Sequence, residues 1–146
     1  MQRRTIPDVS LLGDSRITLT ALAQKLNVSS SNSGNVRATE LRKSARAGVR
    51  QDLLPWIDAM EQVIPKETTI ALDSTQLAYA AHTVMACDTP RSWLAPFGFG
   101  TLGCALPMAI GAAVADSTKP VLAIVGDGGW LFTVAEMAAA IDEGVH

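Results

Sequence analysis

Aromatic residues make up only 5% of the 146-residue sequence, and its formal net charge is only −2. With so little charge and 48% apolar residues, the chain is not a disordered segment, which stays unfolded by combining high charge with low hydrophobicity. Glycine and proline, 11 and 7 in number, are too few and too scattered for a fibrous or low-complexity protein. The two cysteines, Cys87 and Cys104, have neither a Cys-x-x-Cys spacing nor a neighbouring histidine pair. That excludes a Cys/His metal site and leaves reduced, buried thiols as the expectation. Met1 to Asp8 is basic but has no apolar core ahead of Asp8 and Asp14, so it is not a secretory signal, and a cytoplasmic location follows. Two nucleotide-binding patterns are missing as well. Gly-x-Gly-x-x-Gly would need glycine where Leu131 stands, and Gly-x-x-x-x-Gly-Lys-Ser/Thr occurs nowhere. What is left is one domain's length of chain, large enough to bury a core.

Charge is unevenly divided. Residues 1–50 carry 9 basic and 3 acidic side chains, a balance of +6, and residues 51–146 carry 3 basic and 11 acidic, a balance of −8. Arg42, Arg46 and Arg50 fall four apart and would line one face of a helix. No aromatics are interleaved with them, so the pattern predicts a solvated face and no nucleic-acid partner. Trp93 to Ala115 has no charged residue and is long enough to cross a bilayer. Pro96, Gly98, Gly100 and Gly103 break its first half, which predicts a loop followed by a helix and no membrane span.

Along the chain, Ile6 to Leu12 reads as a short strand, and Ile17, Ala21, Leu22 and Leu26 as one face of a helix. Residues 27–49 open with a polar, aperiodic stretch and read as a linker between the end of one domain (1–26) and a second domain (50–146). In the second, Leu53, Ile57, Met60 and Ile64 give a helical stripe ended by Pro65, and Thr68 to Leu72 reads as a strand ending at Asp73. Gln76 to Ala86 and Gly103 to Ala115 are small-residue helices. Val121 to Val125 is an unbroken apolar strand, expected to be central and buried on both faces. After it come Gly126-Asp127-Gly128-Gly129 and a helix whose entry is marked by the capping-box spacing Thr133-x-x-Glu136. Leu131, Val134, Met137, Ala138 and Ile141 form the apolar side of that helix, and Gly144 closes it. Alternating helices and strands joined by short loops predict an α/β fold, a parallel sheet with helices on both faces.

Open α/β sheets place ligands at the carboxyl ends of their strands, which is where Val125 delivers Gly126 to Gly129. Glycines let backbone N–H groups approach phosphate oxygens closely, and Asp127 adds a hard carboxylate. Phosphate beside a carboxylate calls for Mg²⁺, which takes oxygen ligands from both. Taken alone, the same four residues also fit a plain Gly-rich turn capping the next helix.

They do not stand alone. Gly98-Phe99-Gly100-Thr101-Leu102-Gly103-Cys104-Ala105-Leu106-Pro107-Met108-Ala109-Ile110-Gly111-Ala112, followed by Val121 to Gly129, resembles the pyrophosphate-binding domain of thiamine-diphosphate enzymes of the acetolactate synthase-like family. The likeness covers roughly residues 50–146 and is nearest the 2-ketoarginine decarboxylase-like members; Ile6 to Leu26 resembles the end of the family's preceding middle domain. The resemblance implies thiamine diphosphate and Mg²⁺ as cofactors, with Asp127 as metal ligand and Gly126, Gly128 and Gly129 around the diphosphate. It implies Leu102 as the apolar wedge that bends the cofactor and Gly100 as the residue whose carbonyl receives the pyrimidine amino group, with Thr101 between them. The activity it implies is decarboxylation of a small 2-oxo acid, then protonation or transfer of the acyl carbanion, in a homo-oligomer, dimer or tetramer.

Two departures accompany it. In the family an asparagine completes the metal site and a glutamate from another domain protonates the cofactor. The resemblance implies that both lie outside residues 1–146, so the fold is expected to be incomplete at its C-terminus and the chain alone inactive. A non-catalytic fragment acting as an assembly piece is the alternative. Asp73 and Gln76 resemble an Asp-x-x-Gln segment at the mouth of the family's site, with Leu77 where many members have histidine. Glu136 reads as a helix cap, His82 as a surface or core-edge histidine, and Trp93 as a packing residue at the domain edge.

Overall fold

A computed structural model describes residues 7–26 and 33–145. Two compact units divide the chain, Met1–Val36 and Arg37–His146. Ile6, the polar stretch 27–32 and His146 lie outside the described residues.

In the first unit, Asp14 caps helix α1 (Ser15–Lys25), its carboxylate accepting a hydrogen bond from the Ile17 N–H at 2.9 Å, and Lys25 complements the dipole in the last turn. The face read from the sequence is present but uncovered, with Ile17 at 68% and Leu26 at 54% exposure. Residues 7–12 form no strand, contrary to the sequence reading, and Val9, Leu11 and Leu12 are exposed. A strand needs a ladder for its backbone N–H and C=O groups, and the described part of this unit offers none.

Helix α2 (Ser33–Gly48) occupies most of the stretch read as a linker. From Arg37 on it belongs to the second unit, where Ala45 and the following Val49 pack around Ile57. Arg46 pairs with Asp58 at 2.6 Å, and Arg50 donates twice to Asp52, at 3.1 and 2.5 Å. Two of the three evenly spaced arginines are thus tied to carboxylates within the second unit, to which they themselves belong.

A single 3₁₀ turn (Gln51–Leu53) leads into α3 (Leu54–Val63), where Pro55 sits in the first turn and costs no hydrogen bond. Strand β1 (Thr69–Leu72) then pairs in parallel with β2 (Trp93–Leu94) and β3 (Val121–Ile124), in the order β2-β1-β3. Alternation along β1 decides the two layers. Ile70 and Leu72, with Ile124, pack on Ala78 of α4 (Gln76–Val84) and on Met60 and Ile64. Ala71 faces the other way, onto Ala105 and Ala109 of α5 (Ala105–Ala115). The fold is therefore α/β, with helices on both faces of a parallel sheet.

Beyond β3, the chain continues as α6 (Asp127–Thr133), a 3₁₀ turn (Val134–Glu136) and α7 (Met137–Asp142). The capping box does not form. Thr133 ends α6 without a cap bond and its Oγ1 is buried without a partner, because its side chain packs toward Gly103. Gly144 does close the last helix: at φ 65° it donates to the Ile141 carbonyl while Val145 donates to that of Ala140, a Schellman pair. The apolar side of this segment faces outward, with Leu131 at 75% and Ile141 at 74% exposure, and Ala140 is the buried residue.

Three further expectations change. The middle strand among the described residues is β1, and β3 is only half-buried except at Ile124, since its outer side opens on a groove of about 640 Å³ between α5 and α7. Strand β2 was not foreseen, two residues being too short to show alternation. Cys87 is exposed in the polar loop after α4 and Cys104 is half-buried. No helix among the described residues is long and apolar enough to cross a membrane.

Ile57, fully buried where α3 meets α4, is the residue on which the first core cluster closes. Ile57→Ala is expected to lower unfolding stability by roughly 2–5 kcal/mol in urea titration, and an unchanged midpoint would contradict this packing.

Candidate functional site

Asp73 follows β1 directly, so its position at the carboxyl end of the middle strand is set by the strand itself. Its side chain is buried, at 2% exposure. Oδ1 accepts from the N–H groups of Ser74 (2.8 Å) and Gly103 (3.1 Å), and Oδ2 from that of Ala105 (3.2 Å). Its own N–H donates to the Ile124 carbonyl at 3.0 Å. A buried carboxylate is tolerable when several donors replace water, and here all of them are backbone amides.

The same carboxylate brings the two glycine motifs together. Gly103 has φ 80°, and a Cβ there would stand 2.8 Å from the Phe132 Cβ and 3.2 Å from the Gly129 oxygen. At Gly129 a Cβ would fall 3.0 Å from the Asp73 carboxyl carbon. Only glycine at both places lets α6, the loop before α5 and the end of β1 approach this closely.

Gly100 also adopts a left-handed conformation, φ 73°, its N–H donating to the Pro96 carbonyl at 2.7 Å and its own carbonyl accepting from the Ser74 hydroxyl at 3.0 Å. Thr101 is exposed, and its carbonyl accepts from the Cys104 thiol at 3.2 Å. Leu102 lies between the two left-handed glycines with 48% of its surface exposed, although it is a large apolar side chain. A cavity of about 180 Å³ opens beside Gly100, lined by Ser74, Ala78, Tyr79, Pro96 and Phe97. Burial pushes the Cys104 thiol above its ordinary range, and the negative charge of Asp73 adds to that, so it serves as a neutral donor.

At the other motif, Gly126 is the residue before α6 and Asp127, Gly128 and Gly129 form its first turn, with no side chain capping it. Asp127 and Gly128 are exposed and Gly129 is buried. Among the described residues nothing hydrogen-bonds or ion-pairs with the Asp127 carboxylate, and no three His, Cys, Asp or Glu side chains gather to hold a metal.

Of the other residues weighed from the sequence, Gln76 is exposed at the start of α4 and Glu136 ends the 3₁₀ turn without a cap bond. His82 is exposed, its ring 4.2 Å from that of Phe97 and 6.0 Å from that of half-buried Trp93. Sequence reasoning treated Asp73 as a residue at the mouth of the site and overlooked Ser74 and Thr75, the latter within van der Waals reach of a Cβ at Gly126. An acidic residue directly after an apolar strand was the available signal, since such a position is buried and needs partners.

Residues 73–146 match the family of thiamine pyrophosphate enzymes, over its C-terminal TPP binding domain. The match begins at Asp73 itself. The chain is 39% identical over 142 residues to a probable 2-ketoarginine decarboxylase of Pseudomonas aeruginosa, covering 92% of this chain and 25% of that protein. It is 34% identical over 82 residues to a sulfoacetaldehyde acetyltransferase of Alcaligenes xylosoxydans xylosoxydans, covering 56% and 14%. To the large subunit of acetolactate synthase isozyme 1 of Escherichia coli it is 36% identical over 84 residues, covering 58% and 15%. The chain belongs to the thiamine pyrophosphate enzymes. It spans a quarter or less of the length of these three relatives.

The two left-handed glycines separate strain from crowding. Gly103→Ala is expected to cost roughly 2–5 kcal/mol, from backbone strain plus collision with Phe132, and Gly100→Ala, with open space around it, only about 1–2. Equal losses in urea titration would contradict the close approach of α6 to Gly103.

Proposed function

We propose that this chain is the diphosphate-holding part of an enzyme that decarboxylates a 2-oxo acid and then protonates or transfers the acyl carbanion. In this reading Asp127 is a ligand of Mg²⁺, and Gly126, Gly128 and Gly129 surround the diphosphate. Leu102 would be the apolar wedge that supports the cofactor, with Gly100 and Thr101 as further residues that would hold it. Residues 1–26 are the end of a middle domain and 50–146 part of the pyrophosphate-binding domain, in a cytoplasmic homo-oligomer.

One observation carries the reading: an exposed Asp127 carboxylate with no partner among the described residues stands next to Gly128, where a Cβ would meet nothing within 4 Å. The residues fit the group. A single carboxylate suits Mg²⁺ shared with phosphate, because that ion keeps ligand oxygens and water around it and needs no all-protein cage, and the uncapped amides suit the phosphate oxygens. When bound, thiamine diphosphate supplies the electron sink for decarboxylation. The chain's contribution is placement. Asp127 holds the metal, the Gly128 backbone gives way to the diphosphate, and Leu102, kept between Gly100 and Gly103, sets an apolar surface that excludes water from one side of the cofactor.

The nearest reading for substrate is 2-ketoarginine, supported by the 39% identity to the relative of that name. Homo-oligomerisation is supported by apolar side chains that this chain leaves open around the site, Phe99 at 94% and Phe132 at 72% exposure. The same surface also suits the second reading, a non-catalytic assembly piece.

Calorimetry separates the two. Titrating the chain with thiamine diphosphate and Mg²⁺ is expected to give metal-dependent binding that Asp127→Ala weakens at least about tenfold. Absence of heat with the unsubstituted chain would leave the assembly reading.

A further inference from the structure

Resting on the cofactor reading above, we infer that Ser74 is a positioning residue that aims the Gly100 carbonyl at the pyrimidine amino group. Gly100 has no Cβ and sits at φ 73°, in open space with nothing within 4 Å of where a Cβ would be. Sterics therefore leave the direction of its carbonyl free to rotate. The direction is set by two hydrogen bonds: the Gly100 N–H donates to the Pro96 carbonyl at 2.7 Å, and the Ser74 hydroxyl donates to the Gly100 carbonyl at 3.0 Å, across 26 residues of sequence. Ser74 is itself fixed, its N–H bound to the buried Asp73 carboxylate at 2.8 Å. The line Asp73, Ser74, Gly100 thus transfers the rigidity of the middle strand to an exposed glycine carbonyl at the rim of the 180 Å³ cavity.

A carbonyl oxygen accepts two hydrogen bonds. Ser74 occupies one lone pair and leaves the second for an N–H donor from the ligand. A carbonyl already held in place loses no orientational freedom when that donor arrives, which is preorganisation. The role is specific to the amino group, since a ligand without that donor gains nothing from an aimed carbonyl.

That specificity supplies the test. The full chain, with Mg²⁺, is titrated calorimetrically with thiamine diphosphate and with the analogue carrying oxygen in place of the pyrimidine amino group. Ser74→Ala keeps the N–H that binds Asp73 and removes only the hydroxyl, and Ser74→Thr retains a hydroxyl. The unsubstituted chain is expected to prefer thiamine diphosphate, Ser74→Ala to shrink that preference roughly two- to tenfold, and Ser74→Thr to recover it. Apo-state unfolding midpoints are measured alongside. Undiminished preference in Ser74→Ala overturns the inference alone. Equal loss of both ligands with a lowered midpoint also overturns it, by showing a structural role. No preference in the unsubstituted chain overturns the reading of Gly100 on which it rests.

Discussion

The Asp73 carboxylate is the constraint around which this end of the molecule is built. Buried, it requires donors, and the backbone supplies three: Ser74, Gly103 and Ala105. Satisfying them fixes the path of the chain after β1, the turn before α5 and the start of α5 itself. Gly129 then has to be glycine, because the carboxylate fills the place of its side chain. Remove the charge and the two glycine motifs lose the group that both of them pack against.

From this follows the division between what is held and what is offered. Gly103 and Gly129 are packed tightly against α6 and Asp73, whereas Asp127, Gly128, Leu102 and the Gly100 carbonyl are exposed at the same end of the sheet. Rigid glycines beneath and open groups above give a surface already shaped for a ligand, so that little ordering remains to be done on binding. The small side chains Ala71, Ala105 and Ala109 serve the same end, letting α5 lie against β1 so that its first turn reaches Asp73.

Much of this was legible from the residues. Strand-forming and apolar runs located β1 and β3, the Leu53, Ile57, Met60 and Ile64 stripe located α3, and the strand-to-glycine step at Val125 and Gly126 located the start of α6. The failures have physical causes. Val121 to Val125 is apolar enough for a central strand, but apolarity does not say on which side a strand finds its partner, and β1 took the middle. Thr133 and Glu136 have capping-box spacing, but Thr133 packs toward Gly103, a contact 30 residues away that no local pattern contains. Ile6 to Leu12 has strand-like residues and, over residues 7–12, no ladder to join. Asp73 does line the cavity beside Gly100, but no sequence pattern contains the three amides that fold around its carboxylate.

Amide hydrogen exchange in Asp73→Ala, compared with the unsubstituted chain, addresses that centre most directly. The account predicts that the Gly103 and Ala105 amides lose protection well beyond any change in global stability, while the Thr69 amide, bonded to the Pro120 carbonyl at the far end of β1, keeps its own. Unchanged protection at Gly103 and Ala105 would contradict it.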